Sequence, residues 1–231
     1  PLLDATLDLI LERHRDLLKQ GAVLIDEQNF SDDVRVIMYL EHSIQDAKLQ
    51  PDNSRRVVSR QLQFVSIDQQ GVVRNAGYAP YLDCRGATAE ELNLVQPVFE
   101  QSWLTTGLEQ RAIGYAISEL VPRHFQEVKT RKEELIDKTC KAVQDRLTKE
   151  ITYWDHRARE LKAREAAGNT PKLNSRKAED RANDLASRLQ KRMSDLQLER
   201  QLSPLPPIVM GGALIVPAGL LRRLQGQPVS V

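Results

Sequence analysis

Cysteine is scarce. Cys84 and Cys140 are the two in 231 residues, and they stand far apart in unlike surroundings. No CxxC pair exists, so a cysteine zinc site is excluded and a disulfide framework is not expected. A reducing, cytoplasmic setting is the simplest expectation. The four histidines, His14, His42, His124 and His156, form no HExxH and no two-histidine, one-carboxylate pattern, so no metal is expected. Phosphate loops of the G-x-x-x-x-G-K-[ST] kind, GxGxxG and GxSxG are all missing, which removes the usual nucleotide and serine-hydrolase signatures. The longest apolar run, "IVMGGALIVPAGLL", contains glycine and proline and is too short to span a bilayer, so no membrane partner is expected. Charge of one sign is lacking too. Lys plus Arg is 33 against 32 for Asp plus Glu, a net charge of +1, so attraction to nucleic acid would need a local asymmetry. No signal peptide is visible, and the chain opens on Pro1 with text that reads as mid-protein, which suggests a piece of a longer polypeptide.

What is present is a change of period along the chain. Leu2, Leu3, Thr6, Leu7, Ile10, Leu11, His14, Leu17 and Leu18 recur at helical spacing, and Gly21 stops the run. The stretches "AVLIDE", "VRVIMYLEHSIQ", "RRVVSRQLQFVSID" and "GVVRNA" are β-branched and separated by turn clusters, which predicts four strands. In the third, Leu62 and Phe64 alternate with Gln61, Gln63 and Val65 and are expected on one half-buried face. Thr88 followed by Glu91 predicts a capping box for a short helix that ends near Pro97.

From about residue 107 to Ala166 the only proline is Pro122, and no glycine follows Gly114. Ile136, Cys140, Val143, Leu147, Ile151, Trp154, Ala158, Leu161 and Glu165 are spaced by threes and fours, the seam of a coiled coil. "AGNTPKLNS" breaks it, and Ala178, Ala182, Leu185, Leu189, either Arg192 or Met193, and Leu196 resume it. "LSPLPP" ends the second helix, since proline cannot continue the hydrogen-bond ladder, and "IVMGGALIVP" reads as a returning strand. The expected fold is therefore α+β: an antiparallel sheet with packed helices, interrupted by a long antiparallel coiled-coil hairpin. The body takes residues 1–106 and 203–231, and the hairpin residues 107–202.

Three features tempt a catalytic reading and each has a plainer one. Tyr153, Trp154, Asp155 and His156 are adjacent on a helix, so Asp155 and His156 cannot converge on one substrate atom; Trp154 is expected in the seam and His156 in solvent. Glu41 and His42 diverge if they lie on a strand. Cys84 beside Arg85 could be reactive, yet a lone buried or idle thiol is the far commoner case. No catalytic or cofactor-binding residue is expected. The arms carry Arg and Lys interleaved with Glu and Asp, as self-supporting helix faces do, but the loop end is lopsided. Lys162, Arg164, Lys172, Arg176, Lys177 and Arg181 gather there and could meet nucleic-acid phosphates or an acidic partner.

The strings "PLLDATLDLILERH", "VIMYLEHSIQD", "EITYWDHRARELK" and "RQLSPLPPIVMGGALIVPAGLL", in the order helix, strands, hairpin, closing strand, resemble the region downstream of the motor in bacterial Snf2-type helicase-related ATPases. The nearer likeness is to the phage-defence members of the DISARM kind. A more distant one is to the ATPase that recycles RNA polymerase. The resemblance implies a non-catalytic accessory module whose ATP and magnesium belong to upstream motor lobes. Its implied partners are those lobes, double-stranded DNA or, alternatively, a protein: a defence-complex subunit or RNA polymerase gripped by the arm.

Overall fold

The β-branched stretches form one sheet of seven strands. The structure, a computed structural model, describes residues 21–169 and 171–226 together with Leu9 and Arg13. The helix expected over residues 2–19 otherwise lies outside the described residues. The strands are β1 (Ala22–Asp26), β2 (Arg35–Leu49), β3 (Arg55–Asp68), β4 (Val73–Gly77), β5 (Cys84–Gly86), β6 (Leu202–Pro204) and β7 (Ile208–Pro217). Their order is β4-β3-β2-β7-β1-β5, with β6 paired to β2.

Most pairings are antiparallel, as expected, but β1 runs parallel to β7, from Ala22 opposite Ala213 to Asp26 opposite Pro217. A parallel neighbour needs a long crossover, and here almost the whole chain supplies it. β7 therefore lies centrally, between β1 and an antiparallel β2. The short strands β5 and β6 were not anticipated; three residues leave no alternation to read.

Helices follow in chain order: α1 (Ala89–Leu94), α2 (Gln96–Phe99), α3 (Ser102–Thr105), α4 (Leu108–Tyr115), α5 (Val121–Ala166), α6 (Ser175–Arg200) and α7 (Ala218–Leu224). Thr88 caps α1 and Glu91 closes the capping box. Between α4 and α5 one π-helical turn, Ala116–Leu120, keeps the chain helical. Pro122 follows one residue later, after Val121. Proline lacks an N–H and its ring presses on the carbonyl four residues back, so a widened turn before it removes the conflict.

Two compact units divide these elements. The first holds, among described residues, 21–43, 59–125 and 204–226; the second holds 44–58 and 126–203. The first unit's core gathers Ile25, Val36, Met38, Leu40, Val65, Ile67, Leu214 and Val216 from the sheet with Ala112, Ala116 and Leu120 from the helical run. Residues 108–125, counted with the arm in the sequence, thus pack on the sheet. The face expected for β3 is corrected: Val65 and Ile67 are buried, whereas Leu62 is 53% exposed. Pairing with β4 shifts register between Phe64 and Val65, and Phe64 instead meets the rings of Tyr39 and Tyr81.

In the second unit α5 and α6 lie alongside each other in opposite directions. Glu165 accepts from Ser175 at the loop end. Ala158, Leu161 and Ala178 form a small buried cluster with Trp154 and Leu173 against it, and Asp137 pairs with Arg200 at the other end. The 46 residues of α5 span about 69 Å at 1.5 Å per residue; the 26 of α6 cover only its distal part.

Candidate functional site

The loop end of the helix pair is held by local caps. Asn174 accepts from the Lys177 backbone N–H at 3.0 Å. Glu165 takes both the N–H and the hydroxyl of Ser175, at 2.7 and 2.6 Å, and these bonds hold its carboxyl below the usual range. Lys162 and Arg164 lie on the last turns of α5, Lys172 in the loop, and Arg176 and Lys177 in the first turn of α6; all five are exposed. Among the described residues none of them has a carboxylate within ion-pair reach. Glu165 is spent on Ser175, and Glu160 pairs with Arg157 and His156. Arg181 stands apart: its guanidinium lies 5.8 Å from the Trp154 ring centre, a cation–π contact. Trp154 packs on the small cluster while His156 is exposed, as the spacing predicted.

At the base of the pair lies a polar cluster that sequence reasoning missed. Asp46, its side chain fully buried, accepts from Arg56 Nε at 3.1 Å and again from Nη2. Glu199 receives Lys48 at 3.2 Å, Arg56 at 3.3 Å, Lys132 at 3.6 Å and Arg192 at 3.2 Å. Burial alone would raise its carboxyl, yet the Lys48 and Arg56 hydrogen bonds outweigh that and hold it at about 2. The cluster joins the outer end of the β2–β3 hairpin to both helices, which is a structural task.

The first unit hides a second cluster. His42 on β2 and His124 on α5 are both buried, with their Nδ1 atoms 2.8 Å apart. Ser59 Oγ lies 2.9 Å from His124 Nε2. The order Ser59, His124, His42 is that of a nucleophile, a base and an orienting group. His42 Nε2 is buried without a hydrogen-bond partner among the described residues. Burial first, and then the facing charge on His124, lower the His42 pKa to about 4. The two imidazoles meet in a buried hydrogen bond.

Cys84 is not activated. Burial and the Asp26 carboxylate push its thiol up, and Arg85 turns away to Glu91 at 2.6 Å and Glu27 at 2.7 Å. Glu91, which also serves the α1 cap, is held at about 2 chiefly by Arg85. No group of three metal-ligating side chains occurs among the described residues, and none of the described helices is long and apolar enough to cross a membrane. No protein-family model matches the chain, and no curated protein matches it either.

Proposed function

We propose that the chain is a non-catalytic accessory module, C-terminal to the motor of a Snf2-type ATP-dependent translocase, whose arm contacts nucleic-acid phosphates. In this reading α5 and α6 pack as an antiparallel coiled coil, knobs into holes along the seam. The module hydrolyses nothing; ATP and magnesium are used by the motor lobes, which are its neighbours in the parent chain. The observation that carries the reading is the loop end of the arm. Lys162, Arg164, Lys172, Arg176 and Lys177 are exposed, and among the described residues no carboxylate is within ion-pair reach of any of them. Phosphates can meet these cations without displacing an internal ion pair, and release of counterions then favours binding.

Fluorescence anisotropy with labelled duplex and single-stranded DNA across a salt series tests this. Binding should weaken steeply with salt and disappear when Lys172, Arg176 and Lys177 are changed to Glu. Absence of binding at low salt would overturn the nucleic-acid role. A second reading, a protein partner gripped by the arm, is favoured by Leu135 at 59% and Tyr153 at 62% exposure on α5. It predicts a complex insensitive to salt and sensitive to Tyr153→Ala.

A further inference from the structure

We infer that DNA lies lengthwise along one flank of the arm, its phosphodiester backbone on a basic track that runs well away from the loop end. The inference rests on the nucleic-acid reading above and deepens it. At 100° per residue, positions 18 apart return to the same line on a helix. Arg146 and Arg164 are such a pair on α5, and Arg157 is about 20° from both. On α6, Arg181 and Arg188 are seven apart, with Lys191 beside them. Between the helices a groove of about 510 Å³ is lined by Arg146, Arg188, Lys191 and Arg192 with Glu150 and Asp195. That groove fixes which flank of α5 and which flank of α6 look the same way.

Most of the acids on this side are occupied, and Asp184, one turn before Arg188 on α6, is the exposed exception. Glu150 pairs with Arg146 at 3.0 Å, Glu160 with Arg157 at 2.9 Å, and Asp195 reaches Lys48 at 3.9 Å. Arg188 and Lys191 are exposed and have no carboxylate within ion-pair reach among the described residues. The opposite line differs. Asp137 and Asp155 are 18 apart on α5, and Glu179 has the matching place on α6, so that side is balanced rather than basic. The chain's net charge of +1 therefore conceals a flank on which basic residues outnumber acidic ones, although Arg146 and Arg157 each share their charge with a neighbouring glutamate. From Arg146 to Arg164 the track is about 27 Å long at 1.5 Å per residue. At about 3.4 Å of duplex axis per phosphate this is most of one helical turn, so a straight track meets only those phosphates of the turn that point toward it. Exposed Tyr153 lies on the same flank, edge-on to Trp154 at 5.4 Å, where an unpaired base could also stack.

The test compares two variants of the 231-residue chain with the same change of charge, Arg188→Glu with Lys191→Glu and Lys141→Glu with Arg159→Glu. None of the four side chains makes an ion pair among the described residues, and circular dichroism checks that helicity is kept. Anisotropy is read with duplexes of about 8 and 24 base pairs. The flank variant is expected to lose about tenfold or more in affinity, and its salt slope should fall by about two. The opposite-flank variant should stay within about threefold of the parent, and the parent should prefer the longer duplex. Equal losses in both variants would overturn the track and leave a net-charge effect. An unaffected flank variant, with binding abolished only by the Lys172, Arg176 and Lys177 reversal, would overturn it in favour of the loop end alone. A parent chain that binds neither duplex removes the nucleic-acid reading itself.

Discussion

His42 shows how little one letter says without its partner. In "YLEHSIQD" it reads as ordinary strand polarity, and the alternation does place it on the inward face. What no local pattern conveys is that His124, 82 positions later, supplies the facing nitrogen. The consequence is a stability that depends on pH. His42 binds its proton at about 4 in the folded chain against an ordinary 6.5, so between those values the unfolded chain holds the extra proton. Stability therefore rises with pH through this window and is lost as pH falls from about 6.5 to about 4, by about 3 kcal/mol when complete. Urea midpoints taken from pH 7 to 4 should show the fall, and His42→Leu should flatten it; an unchanged slope in that variant would assign the effect elsewhere. Gly219 is a simpler case. Its amide donates to the Asn29 carbonyl at 3.2 Å, and an added Cβ would run into the Phe30 carbonyl. Gly219→Ala should cost about 2 kcal/mol or more in thermal or urea unfolding, whereas Gly226→Ala, which meets nothing within 4 Å, strains only its own positive φ.

Among the elements, the helix pair was the most legible part of the chain. A spacing of threes and fours sustained over many turns predicts helix, and the residues so spaced from Ile136 to Glu165 are all buried or half-buried on α5. The basic loop end was likewise visible as composition. The flank was not, because it depends on which side of α6 faces the side of α5 that carries Arg146. Nor was the base of the pair: Lys48 and Glu199 are 151 positions apart, and nothing in either neighbourhood marks them among 33 basic and 32 acidic residues. Glu199 is nonetheless the carboxylate on which four cations converge. Glu199→Ala leaves Arg56 and Lys132 with Asp46 and Lys48 with Asp195, and takes from Arg192 its carboxylate partner. Such a removal costs about 3 kcal/mol, read as a lowered urea midpoint in Trp154 fluorescence. A loss under about 1 kcal/mol would mean that water screens the cluster as it does a surface pair.

Across the whole molecule, the strands were legible one by one while their order was not. β1 and β7 are separated by nearly the entire chain, and alternation says which face is buried but not whether a returning strand enters parallel or antiparallel. The same limit holds for the two units, since β2, β3 and α5 each pass through both and no linker marks the boundary. The chain offers a direct way to ask whether the units unfold together. It has two tryptophans: Trp103 packs on the sheet core of the first unit, and Trp154 on the small cluster of the second. Trp154→Phe therefore leaves a reporter of the first unit, and Trp103→Phe a reporter of the second. The His42–His124 pair belongs to the first unit and the Glu199 cluster to the second, and their proton windows differ. Between pH 6.5 and about 4 the Trp103 midpoint should fall while the Trp154 midpoint holds. Glu199 is depressed from 4.5 to about 2, so its contribution is full above 4.5 and fades only as pH drops toward 2. The Trp154 midpoint should begin to fall only there. Curves that coincide at every pH would show one cooperative block, with each proton-linked loss shared by the whole chain.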